Sequence, residues 1–107
     1  MSLDVYLTKT VPSIVFTCNI THNLNAMAEE AGIYKHLWHP ESIGMTKALD
    51  LIRPLTNAIQ LMEENPVRFR KLNPSNGWGT YENLLEFVKQ YLAACISNPD
   101  ADISVSR

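Results

Sequence analysis

Leu3, Val5 and Leu7 alternate with Asp4, Tyr6 and Thr8 at the start of the chain, the two-residue period of a half-buried strand. After "KTVPS", whose Pro12 suits a turn or a sheet edge, Ile14, Phe16, Cys18 and Ile20 alternate with Val15, Thr17 and Asn19. The two runs are expected to pair as a hairpin. From Thr21 the period lengthens. Leu24, Met27, Ala28 and Ala31 recur at three- and four-residue steps, Thr21 or Asn23 is placed to cap the start, and Gly32 to end the helix. "IYKHLWHP" predicts a further helical turn before Pro40.

The firmest pattern follows. Ala48, Leu51, Ile52, Leu55, Ala58, Ile59 and Met62 form one apolar stripe, with Lys47, Asp50, Arg53, Asn57, Gln60 and Glu64 on the other faces and Ser42 or Thr46 as the expected cap. Pro54 falls inside the stripe without interrupting it, which predicts a bend and not a break. "NPVRFRKLN" reads as a short helix with Asn65 as cap and Pro66 in its first position. A last helix is capped by Thr80, has Glu82 in its first turn, and buries Tyr81, Leu84, Leu85, Val88, Leu92 and Cys95. "SNPDA" stops it, and Ile103 and Val105 in "DISVSR" alternate as a third strand beside the hairpin. The expected fold is α+β: a two- to three-stranded sheet, made of the N-terminal hairpin and the C-terminal strand, packed against three to four helices.

Length and composition narrow the class. A chain of 107 residues, 46% hydrophobic and 19% charged, has the size and balance of one folded domain, expected to span residues 1–107. Nine basic against eleven acidic residues give a formal charge of −2, so nucleic acid and anionic lipid are not expected partners. No apolar run reaches the roughly 20 residues of a membrane span, and the start lacks the pattern of a secretory signal, which points to the cytoplasm. The Asn19-Ile20-Thr21 glycosylation pattern is discounted on the same ground. Cys18 and Cys95 sit among apolar neighbours at no metal-ligand or redox spacing and are expected to be free, buried thiols.

Chemistry concentrates in a few places. His36 and His39 lie at helical i, i+3 spacing, but no third ligand stands at a plausible distance, so partly exposed histidines are expected and no metal or cofactor. Arg68, Arg70 and Lys71 form a short basic cluster around Phe69, read as a solvated surface that Glu63 and Glu64 neutralise at helical spacing. In "NITHN", Thr21, His22 and Asn23 stand where a strand feeds a helix. That junction suits helix caps first and an anion site second, with His22 as general base in a catalytic reading. The stretch "SNGWGT" places Trp78 between two glycines. Asn76-Gly77 signals a turn, and Gly79 supplies the freedom expected to deliver Trp78 inward, toward Leu84 or the preceding helix, as a core peg. The competing reading makes Trp78 and Asn76 part of a ligand or partner surface.

"NITHNLNAMAEEAGIYKHLWHP" together with "NPSNGWGTYENLLEFVKQYLAAC" resembles a group of small proteins of bacteriophages and bacterial genomes. The resemblance implies a phage or prophage setting and carries over no activity, cofactor or functional residue. The leading expectation is a small non-enzymatic accessory or interaction module that acts on a protein partner or as a homo-oligomer. The second is a small-molecule or anion-binding protein, with enzymatic activity as one form of it, whose pocket joins Thr21, His22 and Asn23 to Asn76 and Trp78.

Overall fold

A computed structural model describes residues 1–9 and 13–107. Strand β1 (Ser2–Lys9) pairs antiparallel with β2 (Ser13–Thr21) on one side and with β3 (Asp102–Ser106) on the other, so the order is β2-β1-β3. The hairpin and the C-terminal strand thus form one antiparallel sheet, and the fold is α+β. The turn expected at Pro12 lies outside the described residues. Between β2 and β3 run α1 (Asn25–Glu30), α2 (Tyr34–Trp38), α3 (Ala48–Glu64), α4 (Pro66–Arg70) and α5 (Tyr81–Ser97), with 3-10 turns at His22–Leu24 and Pro40–Ile43. Helices α2 and α4 are five residues each, too short to stand without the core they pack on. No helix of the described residues is long and apolar enough to cross a membrane.

The helices cover one face of the sheet. Leu3, Val5 and Leu7 are fully buried there, flanked by Phe16, Cys18 and Ile20 on β2 and by Ile103 and Val105 on β3. Ile14 departs from the expected alternation. Leu7 stands opposite Phe16 but Thr8 stands opposite Ile14, so Val15 is an extra residue in β2 and the facing of the strand reverses beyond it. Ile14 is accordingly 58% exposed.

Helices α3 and α5 pack together beneath the sheet, burying Leu51, Leu55, Ala58 and Met62 from one and Leu84, Phe87, Val88, Tyr91 and Cys95 from the other. Helix α3 runs unbroken through Pro54. Its start is capped by neither Ser42 nor Thr46. Ser42 instead donates to the His39 carbonyl at 2.7 Å from within a 3-10 turn, and the Asp50 carboxylate reaches back to the N–H groups of Thr46 and Lys47, both at 3.0 Å. The next two donors, Ala48 and Leu49, are satisfied by the carbonyls of Ala101 and Pro99, which ties the start of α3 to the segment entering β3. The backbone N–H bonds from Lys47 and then Thr46 hold the Asp50 carboxyl below its ordinary range. Asp50→Ala is expected to lower stability by about 1 kcal/mol. The contribution exists while the carboxylate is charged and is lost as pH falls through the lowered folded-state value, so urea melts of the two proteins should converge in acid.

The other caps follow from the same need to satisfy helix ends. Gly32, at φ 80°, closes α1 with its N–H on the Glu29 carbonyl while the Ile33 N–H reaches Ala28, a Schellman ending. Pro66 opens α4 as expected, but the Asn65 side chain donates backwards to Leu61 at 2.9 Å and caps the end of α3 instead. Thr80 caps α5 reciprocally with Asn83: each backbone N–H meets the other's side-chain oxygen, at 3.2 and 3.0 Å.

Candidate binding site

The strand-to-helix junction and the tryptophan loop meet through a relay of side chains. Thr21, at the end of β2, accepts from the Asn23 N–H at 3.3 Å and from its side-chain amide at 3.0 Å, so the cap reading of Thr21 holds. The Asn23 Oδ1 accepts from the Asn76 amide at 3.2 Å, and the Asn76 Oδ1 in turn accepts the Trp78 N–H at 2.9 Å. At its other end the loop is pinned by Asn73, which accepts the Tyr81 N–H at 2.7 Å. Thr21, Asn23, Asn76 and Trp78 therefore belong to one site.

Trp78 does not point into the core. It is 67% exposed, which overturns the expectation of an inward peg. The reason is that its place is taken. The backbone of Gly79, at φ 104°, lies so close to Thr21 and Leu24 that a Cβ there would fall 2.9 Å from Thr21 Cγ2 and from Leu24 Cγ. The pegs are Phe69 and Tyr81, almost wholly buried and stacked at 6.3 Å, with the Tyr81 hydroxyl donating to the Met62 carbonyl at 2.7 Å. Gly79 thus serves a tight seat for the backbone, and the indole is left outside.

His22 stands apart. Its ring packs edge-on to Trp38 at 6.1 Å, its Nε2 is enclosed without a hydrogen-bond partner among the described residues, and it lines neither cleft beside Trp78. One residue after Thr21 and one before Asn23, it is turned away from both by the tight 3-10 turn.

Trp78 separates two clefts of about 440 and 420 Å³. The first runs between β2 at Cys18–Thr21 and the face of α5 that carries Asn83, Glu86, Phe87 and Gln90. The second is lined by Met1 and Trp78 and by the neutral hydrogen-bonding side chains of Ser2, Asn19, Thr21, Asn23 and Asn76. In the first, Glu86 accepts from the Gln90 amide at 3.1 Å, and the Cys18 thiol lies 3.7 Å from the Gln90 Oε1. Sequence reasoning missed Cys18, Asn83, Glu86 and Gln90, whereas Asn19 belongs to the "NITHN" segment it marks. Residues 83, 86 and 90 do recur at helical spacing, but periodicity does not say which polar face of a helix looks onto a strand edge.

The remaining candidates are absorbed by packing and pairing. Burial lowers the pKa of His36, whose Nδ1 has no hydrogen-bond partner among the described residues, and the His39 Nε2 meets the Tyr34 hydroxyl at 3.3 Å. Arg68 and Arg70 are paired, though not with Glu63 and Glu64. Arg68 reaches Glu30, with its Nε at 2.8 Å, and Arg70 reaches Glu82 at 2.9 Å, while Glu63 pairs with Lys89 and Glu64 meets the Gln60 amide. Tertiary packing of α4 against α1 and α5 supplies nearer partners than the preceding helix turn. Both cysteines are free; burial pushes the Cys95 thiol up to about 12, and Cys18 is only partly covered.

Fold and site together define a small α+β protein with an exposed aromatic set between two clefts at the end of a sheet. Comparison with protein-family models, with curated proteins and with solved structures yields no match.

Proposed function

We propose that the protein is a small non-enzymatic interaction module that grips a protein partner through Trp78 and the clefts on either side of it. The observation that carries this reading is the 67% exposure of an indole whose backbone is fixed by Asn76 and by the Gly79 seat. A large aromatic surface gains much on being covered, and a loop already held in place loses little freedom when that happens. The anion form of the small-molecule reading has less support in the first cleft, which contains Glu86 and, among the described residues, no Lys, Arg or His; the second has Met1 at its rim but no Lys, Arg or His among the described residues. In this reading the module works in the cytoplasm, in the phage or prophage setting that the resemblance implies.

Trp78→Ala is expected to leave the denaturant midpoint within about 0.5 kcal/mol of wild type, as for an exposed side chain. The same variant should fail to retain a partner that wild-type protein captures from its source cells, identified by mass spectrometry and then confirmed with the purified pair. A partner held equally by both proteins would place the contact elsewhere.

A further inference from the structure

The two edges of the sheet are treated differently. Edge strands attract other strands, and folded proteins blunt them with charge, proline, shortness or cover. Strand β3 is only five residues long, and the start of its free side is occupied: the Ile103 N–H bonds to Thr46 at 2.9 Å, Lys47 bridges Asp102, and the side chains of Lys47 and Asp102 form an ion pair. Strand β2 is nine residues long and contains neither a charge nor a proline; the bulge at Val15 blunts it at the end remote from Trp78, and toward Trp78 helix α5 runs alongside it with the cleft left between them. Successive residues of β2 from Cys18 to Thr21 all line the cleft. Because side chains alternate between faces, such a cleft must follow the edge of the strand, where half of the backbone donors and acceptors point away from β1.

We propose that this edge takes up an extended peptide segment of a partner protein as a fourth strand. A lysine or arginine of the segment lies against Glu86, and an apolar side chain lies against Trp78. The assignment rests on the reading of Trp78 as the contact surface and names what it contacts. Backbone pairing supplies the docking and the flanking walls read alternate side chains, as in other strand-addition sites. The charge on the segment follows from Glu86, the sole charged side chain lining the cleft, which forms no ion pair among the described residues. A second copy of β2 does not match it, since Ser13–Thr21 contains no cation to place there.

The probe is a set of dodecapeptides selected from a random library on the immobilised protein, then synthesised. Enriched peptides should share an alternating pattern with one basic residue in fixed register. Glu86→Lys should weaken their binding about tenfold or more by placing like charges together. Bound peptide should protect β2 amides from hydrogen exchange and slow alkylation of Cys18 by iodoacetamide, Cys95 being buried. Peptides that bind Trp78→Ala poorly yet ignore Glu86→Lys and leave the β2 amides exposed would overturn strand addition while the Trp78 contact stands. Peptides indifferent to Trp78→Ala would overturn the underlying reading. Failure to enrich any peptide, or a doubled native mass with β2 amides protected in the protein alone, would also overturn the proposal, the latter in favour of a second copy.

Discussion

Phe69→Ala and Tyr81→Ala are each expected to cost about 3–5 kcal/mol, a large part of the roughly 5–15 kcal/mol that holds a domain of this size together. Phe69 sits on the short helix α4 and Tyr81 at the first position of α5, and their rings stack at 6.3 Å where α3, α4 and α5 meet. Removing either empties a site that the two long helices are too constrained to close. Tyr81 also acts through its hydroxyl, which donates to the Met62 carbonyl at 2.7 Å, in the last turn of α3 where the only backbone donor to that oxygen among the described residues is the capping Asn65 N–H at 3.3 Å. Tyr81→Phe should therefore cost about 1 kcal/mol while keeping the ring's packing. Since the rings share a contact, the double alanine variant should lose less than the sum of the two singles. Urea melts measure all four; a loss below about 1 kcal/mol for either alanine variant would mean that the junction is not the keystone this packing implies.

That pair also shows where the sequence is legible and where it is not. Period alone locates both strands of the hairpin, the C-terminal strand and the two long helices, because each has one face that must be buried and enough length to repeat the signal. Tyr81 falls on the buried stripe by the same logic. Phe69 reads as part of a basic surface cluster, because a five-residue helix is too short to show a face. Ile14 reads as core, because nothing in local composition announces the bulge that puts it outside. Capping fails in a different way. Ser42, Thr46 and Asn65 all have suitable side chains, but Asp50 and the carbonyls of Pro99 and Ala101 hold the start of α3, and the choice among such donors and acceptors is made by distant chain. The candidate site is the mixed case: of the five residues that the sequence groups, Thr21, Asn23, Asn76 and Trp78 are linked by hydrogen bonds while His22 packs on Trp38, since adjacency in a tight turn does not keep neighbouring side chains on one side.

Gly79→Ala is expected to lower stability by about 2–5 kcal/mol, combining strain at a backbone angle that side chains rarely adopt with crowding of a filled space. The angle is φ 104°, and the added methyl would meet Thr21 Cγ2 and Leu24 Cγ at 2.9 Å. Neither neighbour is free to yield: Leu24 is fully buried, and Thr21 is held by its bonds to Asn23. Gly77→Ala provides the comparison. Its φ is 77°, but nothing lies within 4 Å of the added carbon, so only the left-handed backbone penalty of about 1–2 kcal/mol applies. Equal losses in urea melts at the two positions would mean that both glycines merely shape a turn. A clearly larger loss at Gly79 means that the loop is seated against the end of β2 and the first turn of helix. The distinction bears directly on Trp78. An indole on a freely turning loop would be ordered only by its partner, whereas one whose backbone is wedged against Thr21 and Leu24 is presented in place by the fold, and the cost of ordering it is met when the chain folds.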